Sequence, residues 1–304
     1  MGVKPLKFID IFEIEPTNFC NAQCVFCPRN ALKRPRGYMT WDTFKTIVDK
    51  ATELNIKNLI FSGFGEPFLH KDLLEYISYL NEKAPHVNLE IITNCSLLTP
   101  EKIEQLKMLK VNQLVISFSG IDEKSYESQM KNLSYAKVIS NLNYLAQNGG
   151  ELAKKVRIRP VITKVFDFPQ FKIMQKNLMQ LGFKAENLAE YYLCANRGGY
   201  LIDKNIYDDV FLKNKGVALH NPEGIMCLMF IKTLQIAWNG DILLCCCDIN
   251  DETNIGNINT STLQEIHNKI LYFRTPETKP PICLRCNAPF VYKGYEQDKK
   301  LGAG

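Results

Sequence analysis

The sequence predicts an α/β fold, an open (β/α)6 partial TIM-like barrel with a small C-terminal domain. Short β-rich runs alternate with amphipathic helical runs about six times before residue 200, a pattern typical of parallel strands joined by crossover helices. Six such units fall short of the eight that close a barrel. After Gly198-Gly199 the helical periodicity gives way to clustered cysteines, so we expect a separate small domain there.

The predicted elements follow from these runs in chain order. Runs rich in β-branched and aromatic residues predict strands at 11–15, 58–62, 88–93, 113–118, 156–163 and 190–193. Apolar residues at helical spacing predict helices at 41–54, 71–82, 100–109, 134–147 and 170–181. Thr40 is the expected N-cap of the first helix. Strand-like runs at 233–238 and 241–245 flank Asn239-Gly240, which predicts a hairpin with a type I′ turn.

Composition excludes several classes of protein. The net charge of +5 is mild and spread along the chain, whereas a nucleic-acid-binding protein needs a basic stripe. No run of about 18 apolar residues occurs, so we expect no membrane span. The opening MGVKPLKFIDIFEIEP lacks the pattern of a secretory leader, and we expect a cytoplasmic protein. Eleven cysteines in clustered spacing indicate metal ligation rather than a disulfide framework.

Three of these cysteines, Cys20, Cys24 and Cys27, form a C-x3-C-x2-C motif within eight residues. Thiolates packed this closely select zinc or iron–sulfur clusters. The usual patterns need a fourth ligand close by, and the next histidine is His70, beyond a predicted helix and strand. Three ligands on a cubane leave one iron open to a substrate or cofactor. A zinc site with a distant fourth ligand is the alternative.

With Phe26 as the aromatic residue before the third cysteine, the motif resembles that of the radical S-adenosylmethionine (radical SAM) superfamily. The resemblance implies a [4Fe–4S] cluster whose open iron chelates SAM. Reduction then cleaves SAM to methionine and a 5′-deoxyadenosyl radical, which abstracts a hydrogen atom from substrate. It also implies the predicted partial barrel, with its chemistry at the carboxyl ends of the strands.

Segments at three predicted strand ends carry the resemblance further. Gly63-Phe64-Gly65-Glu66-Pro67 is similar to the family's GGEP segment, with Phe64 interrupting the glycine pair. Thr93-Asn94-Cys95 is similar to T-N-G, and Ser117-Phe118-Ser119-Gly120 to S-x-D-G. Lys131 is the cation nearest to where many relatives carry an arginine for the SAM carboxylate. The resemblance thus assigns SAM binding to Phe26, Gly63, Gly65, Glu66, Pro67, Thr93, Asn94, Ser117 and Lys131.

The C-terminal third carries a second cysteine set. Cys245 lies eighteen positions after Cys227 and follows Gly240 with four residues between, and Cys283-x2-Cys286 comes later. This pattern resembles the auxiliary-cluster domain of SPASM and twitch proteins. The resemblance implies a second [4Fe–4S] cluster held by Cys227, Cys245, Cys283 and Cys286, with Cys246 and Cys247 as rivals of Cys245. A four-cysteine zinc knuckle fits the same spacing.

These patterns predict three segments: a radical SAM core at 1–200, an auxiliary-cluster domain at 201–292 and a mobile tail at 293–304. The core and the auxiliary motif leave little room for a peptide-recognition domain, which favours a small substrate over a peptide. The resemblance further implies an external one-electron donor such as flavodoxin or ferredoxin.

The function we expect is oxidation of an alcohol on a sugar-like or aminocyclitol molecule, with the second cluster accepting an electron. Arg197 is the candidate substrate anchor, and an inward-facing pair of Arg157 and Arg159 would suit an anionic or polyhydroxy substrate. The alternative is an epimerase or peptide-modifying enzyme with a cysteine hydrogen donor, for which Cys194 is the first candidate. A non-enzymatic zinc or iron–sulfur protein is the third hypothesis.

Overall fold

The computed structural model describes residue 6 and residues 8–215, 232–273 and 278–287. The predicted ligand Cys227 and the predicted tail at 293–304 lie outside these ranges. No helix within the ranges has the length and apolar character needed to cross a membrane.

The strands of the main sheet are built from the β-rich runs of the sequence. Five of its strands come from the N-terminal part of the chain: β1 (Ile11–Ile14), β3 (Asn58–Phe61), β4 (Asn88–Thr93), β5 (Gln113–Ser117) and β7 (Val156–Arg159). They pair in parallel and in that order. Two short strands, β2 (Gln23–Cys24) and β6 (Met130–Lys131), form a separate antiparallel pair. The sheet is not closed, which confirms the predicted partial barrel.

Helices cover the outside of this sheet, as expected for crossover connections. They are α1 (Trp41–Glu53), α2 (Leu73–Lys83), α3 (Pro100–Lys107), α4 (Glu123–Gln129), α5 (Tyr135–Asn148), α6 (Glu151–Lys154), α7 (Phe168–Gln180) and α8 (Asp209–Asn214). The Thr40 side chain accepts a hydrogen bond from the backbone N–H of Thr43, so it caps α1 as predicted. Alternate side chains of β1, those of Phe12 and Ile14, are fully buried in the layer between sheet and helices.

The predicted fifth strand divides at Pro160. A proline has no N–H for the ladder, and the run splits there into β7 and β8 (Val161–Ile162). The sixth strand, β9 (Tyr192–Leu193), pairs in parallel with β8 rather than with the main sheet. The fifth run therefore pairs with the main sheet through β7 and with the sixth strand through β8. The sheet curves toward the inside of the partial barrel, and this inner side is its concave face.

The C-terminal strands extend the same sheet. They are β10 (Thr233–Ile236), β11 (Asp241–Leu243) and β12 (Asn254–Asn257), followed by α9 (Leu263–Tyr272) and α10 (Pro281–Arg285). β10 pairs in parallel with β1, on the side opposite to β3. The cysteines that follow β11 are thereby brought beside the strand that leads into the first cysteine motif.

The hairpin of β10 and β11 forms as predicted, but its turn type was predicted wrongly. The Ala237 N–H donates to the Asp241 carbonyl, so the connection has three residues, Trp238, Asn239 and Gly240. Only Gly240 has positive φ, at +88°, whereas a type I′ turn needs positive φ at both central residues. The Trp238 ring packs against Gly37, which draws the tryptophan into the turn.

Candidate active site at the carboxyl ends of the strands

The first cysteine motif lies on the loop that leaves β1. Cys20, Cys24 and Cys27 are partly buried, and the Cys27 N–H donates to the Cys24 carbonyl at 3.0 Å. The Arg29 guanidinium closes the loop by donating to the carbonyls of Cys20 and Ala22, at 3.2 and 2.9 Å. One backbone hydrogen bond and the Arg29 side chain thus hold the loop together.

Burial raises the pKa of all three thiols, that of Cys20 to about 11. Cys24 also interacts electrostatically with Cys20 and Cys27, so three thiolates so close together would repel one another. A bound metal cluster offsets both the burial of the thiolates and their mutual repulsion, because the metal displaces the thiol protons and neutralises the thiolate charges. The donor set fits the three-cysteine cluster ligation that the sequence predicts.

The GFGEP segment packs directly on the cysteine loop. A Cβ on Gly65 would stand 1.9 Å from the Thr17 carbonyl oxygen, so the backbones approach as only glycine permits. The neighbouring Glu66 N–H donates to the Phe19 carbonyl at 2.8 Å. Gly63 adopts φ +106°. The two glycines therefore let the end of β3 support the cysteine loop.

Glu66 joins the ends of β3 and β4. Its side chain is 2% exposed, and its carboxylate accepts hydrogen bonds from Thr93 Oγ1 at 2.7 Å, Asn94 N at 2.8 Å and Phe68 N at 3.2 Å. Asn94 Nδ2 in turn donates to Asn21 Oδ1 of the cysteine loop at 2.9 Å. The predicted SAM-binding residues of these two segments thus form one network, and their contact with SAM stays a prediction.

Phe64, which interrupts the glycine pair, contacts a buried ion pair formed by Arg34 and Glu15. Arg34 Nη1 lies 2.8 Å from Glu15 Oε1, and both side chains are about 5% exposed. The Arg34 guanidinium also lies 5.9 Å from the centre of the Phe64 ring, and the Phe64 N–H donates to Glu15 Oε2 at 2.9 Å. The residue that departs from the family pattern therefore helps to bury this charge pair.

The cysteine loop also contacts the C-terminal segment. The Lys33 N–H donates to Asn250 Oδ1 at 2.7 Å, and Asn250 Nδ2 donates to the Ala31 carbonyl at 2.9 Å. Arg34 Nε donates to the Ile249 carbonyl at 3.1 Å. The residues that follow Cys27 are thereby hydrogen-bonded to the residues that follow Cys247.

Four cysteines of the second region lie together. Thiol hydrogen bonds link Cys247 to Cys245, Cys246 and Cys286, and they lower the pKa of Cys247. The Cys247 N–H also donates to Cys245 Sγ at 3.3 Å. Cys283 is partly buried against the core. Two predicted ligands, Cys245 and Cys286, are thus brought together around Cys247, and their ligation of a cluster stays a prediction.

Within the described ranges, no three histidine, cysteine, aspartate or glutamate side chains are grouped so that they could hold a single metal ion.

The knuckle that carries Cys283 and Cys286 is fastened to the loop after β9. Asn196 and Asn287 exchange backbone-to-side-chain hydrogen bonds at 2.7 and 3.1 Å. Arg285 Nε donates to the Gly198 carbonyl at 2.6 Å. A Cβ on Gly198 would stand 3.5 Å from the Cys247 Cβ. The loop that carries Arg197, the candidate substrate anchor, is therefore packed against the second cysteine region.

Arg197 interacts electrostatically with both cysteine regions. It has φ +49°, which is uncommon for a residue other than glycine. Burial disfavours its charge, yet interactions with Cys247, Cys246 and Cys27 raise the pKa of Arg197. The proposed substrate anchor is thus close enough to interact with both regions.

The concave face of the sheet is polar. Arg159 on β7 lies 3.4 Å from Glu90 on β4, donates to Tyr192 Oη at 2.9 Å and pairs with Glu190. Arg159 therefore faces inward, but glutamates already neutralise it. Arg157 bonds the carbonyls of Lys154 and Val156, so the two arginines do not form an open anion site.

Glu13 is the second charged group of the concave face. It alternates with the buried Phe12 and Ile14 along β1, and Gln235 on β10 donates to Glu13 Oε2 at 2.5 Å. Burial raises the pKa of Glu13, and Cys247 and Arg197 also act on it. This carboxylate thus lies on the inner face toward the second cysteine region.

The remaining predicted site residues are placed as follows. Phe26 is buried, Ser117 is half-buried at the end of β5, Pro67 is buried at the start of a short 3-10 helix, and Lys131 is exposed on β6. Cys194 is buried at the end of β9, and burial raises its pKa to about 12. Their roles stay predictions.

Sequence reasoning missed Glu13, Glu90 and the Arg34–Glu15 pair. Glu13 was detectable, since an acidic residue between apolar neighbours in IFEIE departs from the pattern of a buried parallel strand. The Arg34–Glu15 contact gave no signal, because nothing in the sequence brings the cysteine loop back over β1.

The chain matches two family models, one for the radical SAM superfamily over residues 14–163 and one for an iron–sulfur cluster-binding domain, SPASM, over residues 227–287. It is 32% identical over 111 residues to the PqqA peptide cyclase of Bradyrhizobium diazoefficiens, covering 36% of this chain and 28% of that protein. It is 28% identical over 113 residues to the S-adenosyl-L-methionine-dependent 2-deoxy-scyllo-inosamine dehydrogenase of Niallia circulans, covering 36% and 45%. Both matches span less than half of the curated relative.

Two solved structures resemble the whole fold. BtrN in complex with AdoMet and 2-DOIA has a TM-score of 0.58 at 18% identity, with coverage of 93% of this chain and 98% of that one. Streptococcus suis SuiB bound to the precursor peptide SuiA has a TM-score of 0.69 at 20% identity, with coverage of 95% and 72%. At these identities the likeness concerns the fold.

Proposed function

Since the chain belongs to the radical SAM superfamily and carries a SPASM iron–sulfur domain at its C-terminal end, we propose that it oxidises an alcohol of a small polar substrate. Cys20, Cys24 and Cys27 hold the SAM-binding cluster, and Cys227, Cys245, Cys283 and Cys286 hold the second. When bound, the first group with SAM supplies a 5′-deoxyadenosyl radical and the second supplies a one-electron acceptor. A flavodoxin or ferredoxin delivers the electron that SAM cleavage consumes.

The observation that carries this proposal is the direct contact between the two cysteine regions. The bonds of Asn250 to Lys33 and Ala31 and the electrostatic interactions of Arg197 with Cys27 and Cys247 support a position of both regions at one end of the concave face. A radical generated beside the first cysteine region would then form at the same end of the concave face as an electron acceptor at the second region. That arrangement suits loss of a hydrogen atom followed by loss of one electron and one proton from the same carbinol.

The lining of the concave face favours a polyhydroxylated amine over a phosphorylated substrate. Arg159 is already paired with Glu90 and Glu190, which leaves the Glu13 carboxylate as a group suited to an ammonium. Gln235 and Tyr192 add hydrogen-bonding groups suited to hydroxyls. A dianionic phosphate here would meet an excess of glutamates. An aminocyclitol or amino sugar fits this lining.

The test uses a panel of alcohols deuterated at the carbinol carbon: neutral polyols, amino sugars or aminocyclitols, and sugar phosphates. We expect an amine-bearing member to transfer deuterium to 5′-deoxyadenosine and to yield one ketone or aldehyde per 5′-deoxyadenosine. Transfer from no alcohol, or transfer only from a sugar phosphate, would contradict the proposed substrate class.

A Cys283→Ala/Cys286→Ala variant is expected to separate SAM cleavage from oxidation. Loss of two thiolates of the acceptor site leaves the first cluster in place, so deuterium transfer continues while the ketone-to-5′-deoxyadenosine ratio falls about tenfold or more from one. Mass spectrometry of both products gives the ratio. Cys194→Ala is the matched control and should leave it unchanged. An unchanged ratio in the double variant would exclude the acceptor role.

The second candidate function is modification of a peptide, which the 32% identity to a peptide cyclase favours. In its epimerase form, Cys194 would return a hydrogen atom. That function predicts a product of unchanged oxidation state with one solvent-derived hydrogen, and Cys194→Ala would abolish the incorporation. Ketone formation that survives Cys194→Ala supports the dehydrogenase instead.

A further inference from the structure

The buried hydroxyl of Tyr126 has no use in the function proposed so far. The side chain is fully buried, and its Oη has no hydrogen-bond partner among the residues that the structure describes. Leaving a buried hydroxyl unbonded costs about 1–3 kcal/mol, so a phenylalanine would be better at this position unless something accepts the bond.

Backbone bonds place α4 beside the cysteine loop. Tyr126 lies on α4, and its carbonyl accepts the N–H of Met130, the residue at which the helix ends and β6 begins. Met130 pairs with Cys24 in the antiparallel β2–β6 ladder, and the Cys24 and Met130 sulfurs are 3.6 Å apart. The Val25 N–H donates to the Gln129 carbonyl at 3.0 Å. The C-terminal end of α4, one turn beyond Tyr126, is therefore fastened to the cysteine loop beside Cys24.

Packing holds the ring in place. The Phe118 and Tyr135 rings lie 4.7 and 5.7 Å from it, centre to centre. A Cβ on Gly120 would stand 2.5 Å from the Tyr126 Cα, so the helix sits directly on that glycine. A phenol ring packed in this way has little freedom to carry its hydroxyl to a more distant acceptor.

Four nearby groups are candidate acceptors, and three are already committed or weak. Tyr126 interacts electrostatically with Cys24, Cys95, Glu127 and Glu66. Glu127 Oε1 already accepts a hydrogen bond from the Tyr135 N–H at 2.9 Å. The Glu66 carboxylate already accepts three hydrogen bonds. Cys95 is a fully buried thiol whose pKa burial raises, and a neutral thiol accepts weakly. Cys24 alone becomes a thiolate on metal binding, and charged acceptors form the stronger bonds.

We propose that the Tyr126 hydroxyl donates a hydrogen bond to the Cys24 sulfur when that thiolate ligates iron, and so raises the reduction potential of the SAM-binding cluster. The inference rests on the proposed function only in requiring a cluster at Cys20, Cys24 and Cys27. Hydrogen bonds to cluster sulfurs favour the reduced form, because they stabilise the extra negative charge. The bond would make the electron needed for SAM cleavage easier to accept.

The test compares the wild-type protein with Tyr126→Phe, which removes only the hydroxyl. Redox titration followed by electron paramagnetic resonance gives the potential of the cluster whose signal responds to SAM. We expect Tyr126→Phe to bind wild-type amounts of iron but to show a reduced-to-oxidised ratio about tenfold lower at a fixed potential, about 59 mV for a one-electron couple. Tyr135→Phe, which removes a hydroxyl from the same aromatic group, should leave the potential unchanged.

A second measurement does not depend on the variant assembling fully. The Ala22 N–H, which donates to Cys20 Sγ at 3.4 Å, should give an exchangeable deuteron coupling by pulsed resonance in D2O in both proteins. The reduced wild-type protein should show one coupling more than the assembled fraction of Tyr126→Phe. Equal potentials, or the same set of couplings in the two proteins, would overturn the inference. A wild-type protein without a reducible cluster would instead defeat the proposed function, so the two failures are distinguishable.

Discussion

A Cys24→Ala protein is expected to lose SAM cleavage altogether. Cys24 is one of three thiolates for a cluster that has no fourth protein ligand in the motif, so its loss leaves two. Changes in the surroundings of metal ligands already cost about 10–100-fold, and removing a ligand should cost more and bring 5′-deoxyadenosine formation to background. Iron content should fall by about four per chain. Anaerobic reconstitution with iron, sulfide and product analysis measures both quantities.

Cys95→Ala is the matched control for this substitution. Cys95 is fully buried at a strand end and interacts with Glu66, but it lies outside the C-x3-C-x2-C motif. Its replacement should leave iron content and 5′-deoxyadenosine formation near wild-type values. A Cys24→Ala protein that retains full iron and cleaves SAM would show that the motif is not the cluster site.

A Gly65→Ala protein is expected to lose the support of the cysteine loop. The added Cβ would stand 1.9 Å from the Thr17 carbonyl oxygen and 2.7 Å from that of Phe19, and backbone atoms cannot yield as a flexible side chain can. Overpacking of this kind costs about 3 kcal/mol, which corresponds to a fall in Tm of roughly 5 °C for a chain of 304 residues. Iron incorporation should fall as well, because the displaced loop carries the ligands.

Gly150→Ala separates the collision from backbone strain. Gly150 has φ +54° and ψ −125°, and an added Cβ meets nothing within 4 Å, so only a backbone strain of about 1–3 kcal/mol applies. Thermal unfolding and iron content of both variants give the comparison, and iron content should fall only in Gly65→Ala. A Gly65→Ala protein with the wild-type Tm and iron content would contradict the close packing of the GFGEP segment on the cysteine loop.

The sequence was most informative about local elements and strand ends. Period-two and helical patterns located β4 and α1 almost to the residue, because local propensity and burial agree there. The GFGEP and T-N-C segments were placed correctly beside the cysteine loop, because parallel strands bring their carboxyl ends to one edge.

The features that the sequence did not predict depend on contacts between residues that are far apart in the chain. The break at Pro160 depends on how the fifth run passes from β5 to β9, and the three-residue turn at Gly240 depends on the Trp238 ring packing on Gly37. The inward orientation of Arg159 was foreseen as one of two possibilities, but its neutralisation by Glu90 requires the curvature of the finished sheet. Pairwise contacts between residues about 70 positions apart leave no trace in local patterning.

We expect one chain to hold a SAM-cleaving cluster and a second cluster beside it. The decisive measurement is to reconstitute the protein anaerobically, count iron, sulfide and zinc, and incubate it with SAM and dithionite. The protein should bind about eight irons per chain and no zinc and should form 5′-deoxyadenosine, and about four irons should remain in a Cys227→Ala/Cys283→Ala/Cys286→Ala variant. About four irons with one zinc would remove the electron acceptor, and absence of 5′-deoxyadenosine from the fully loaded protein would contradict SAM cleavage by this chain.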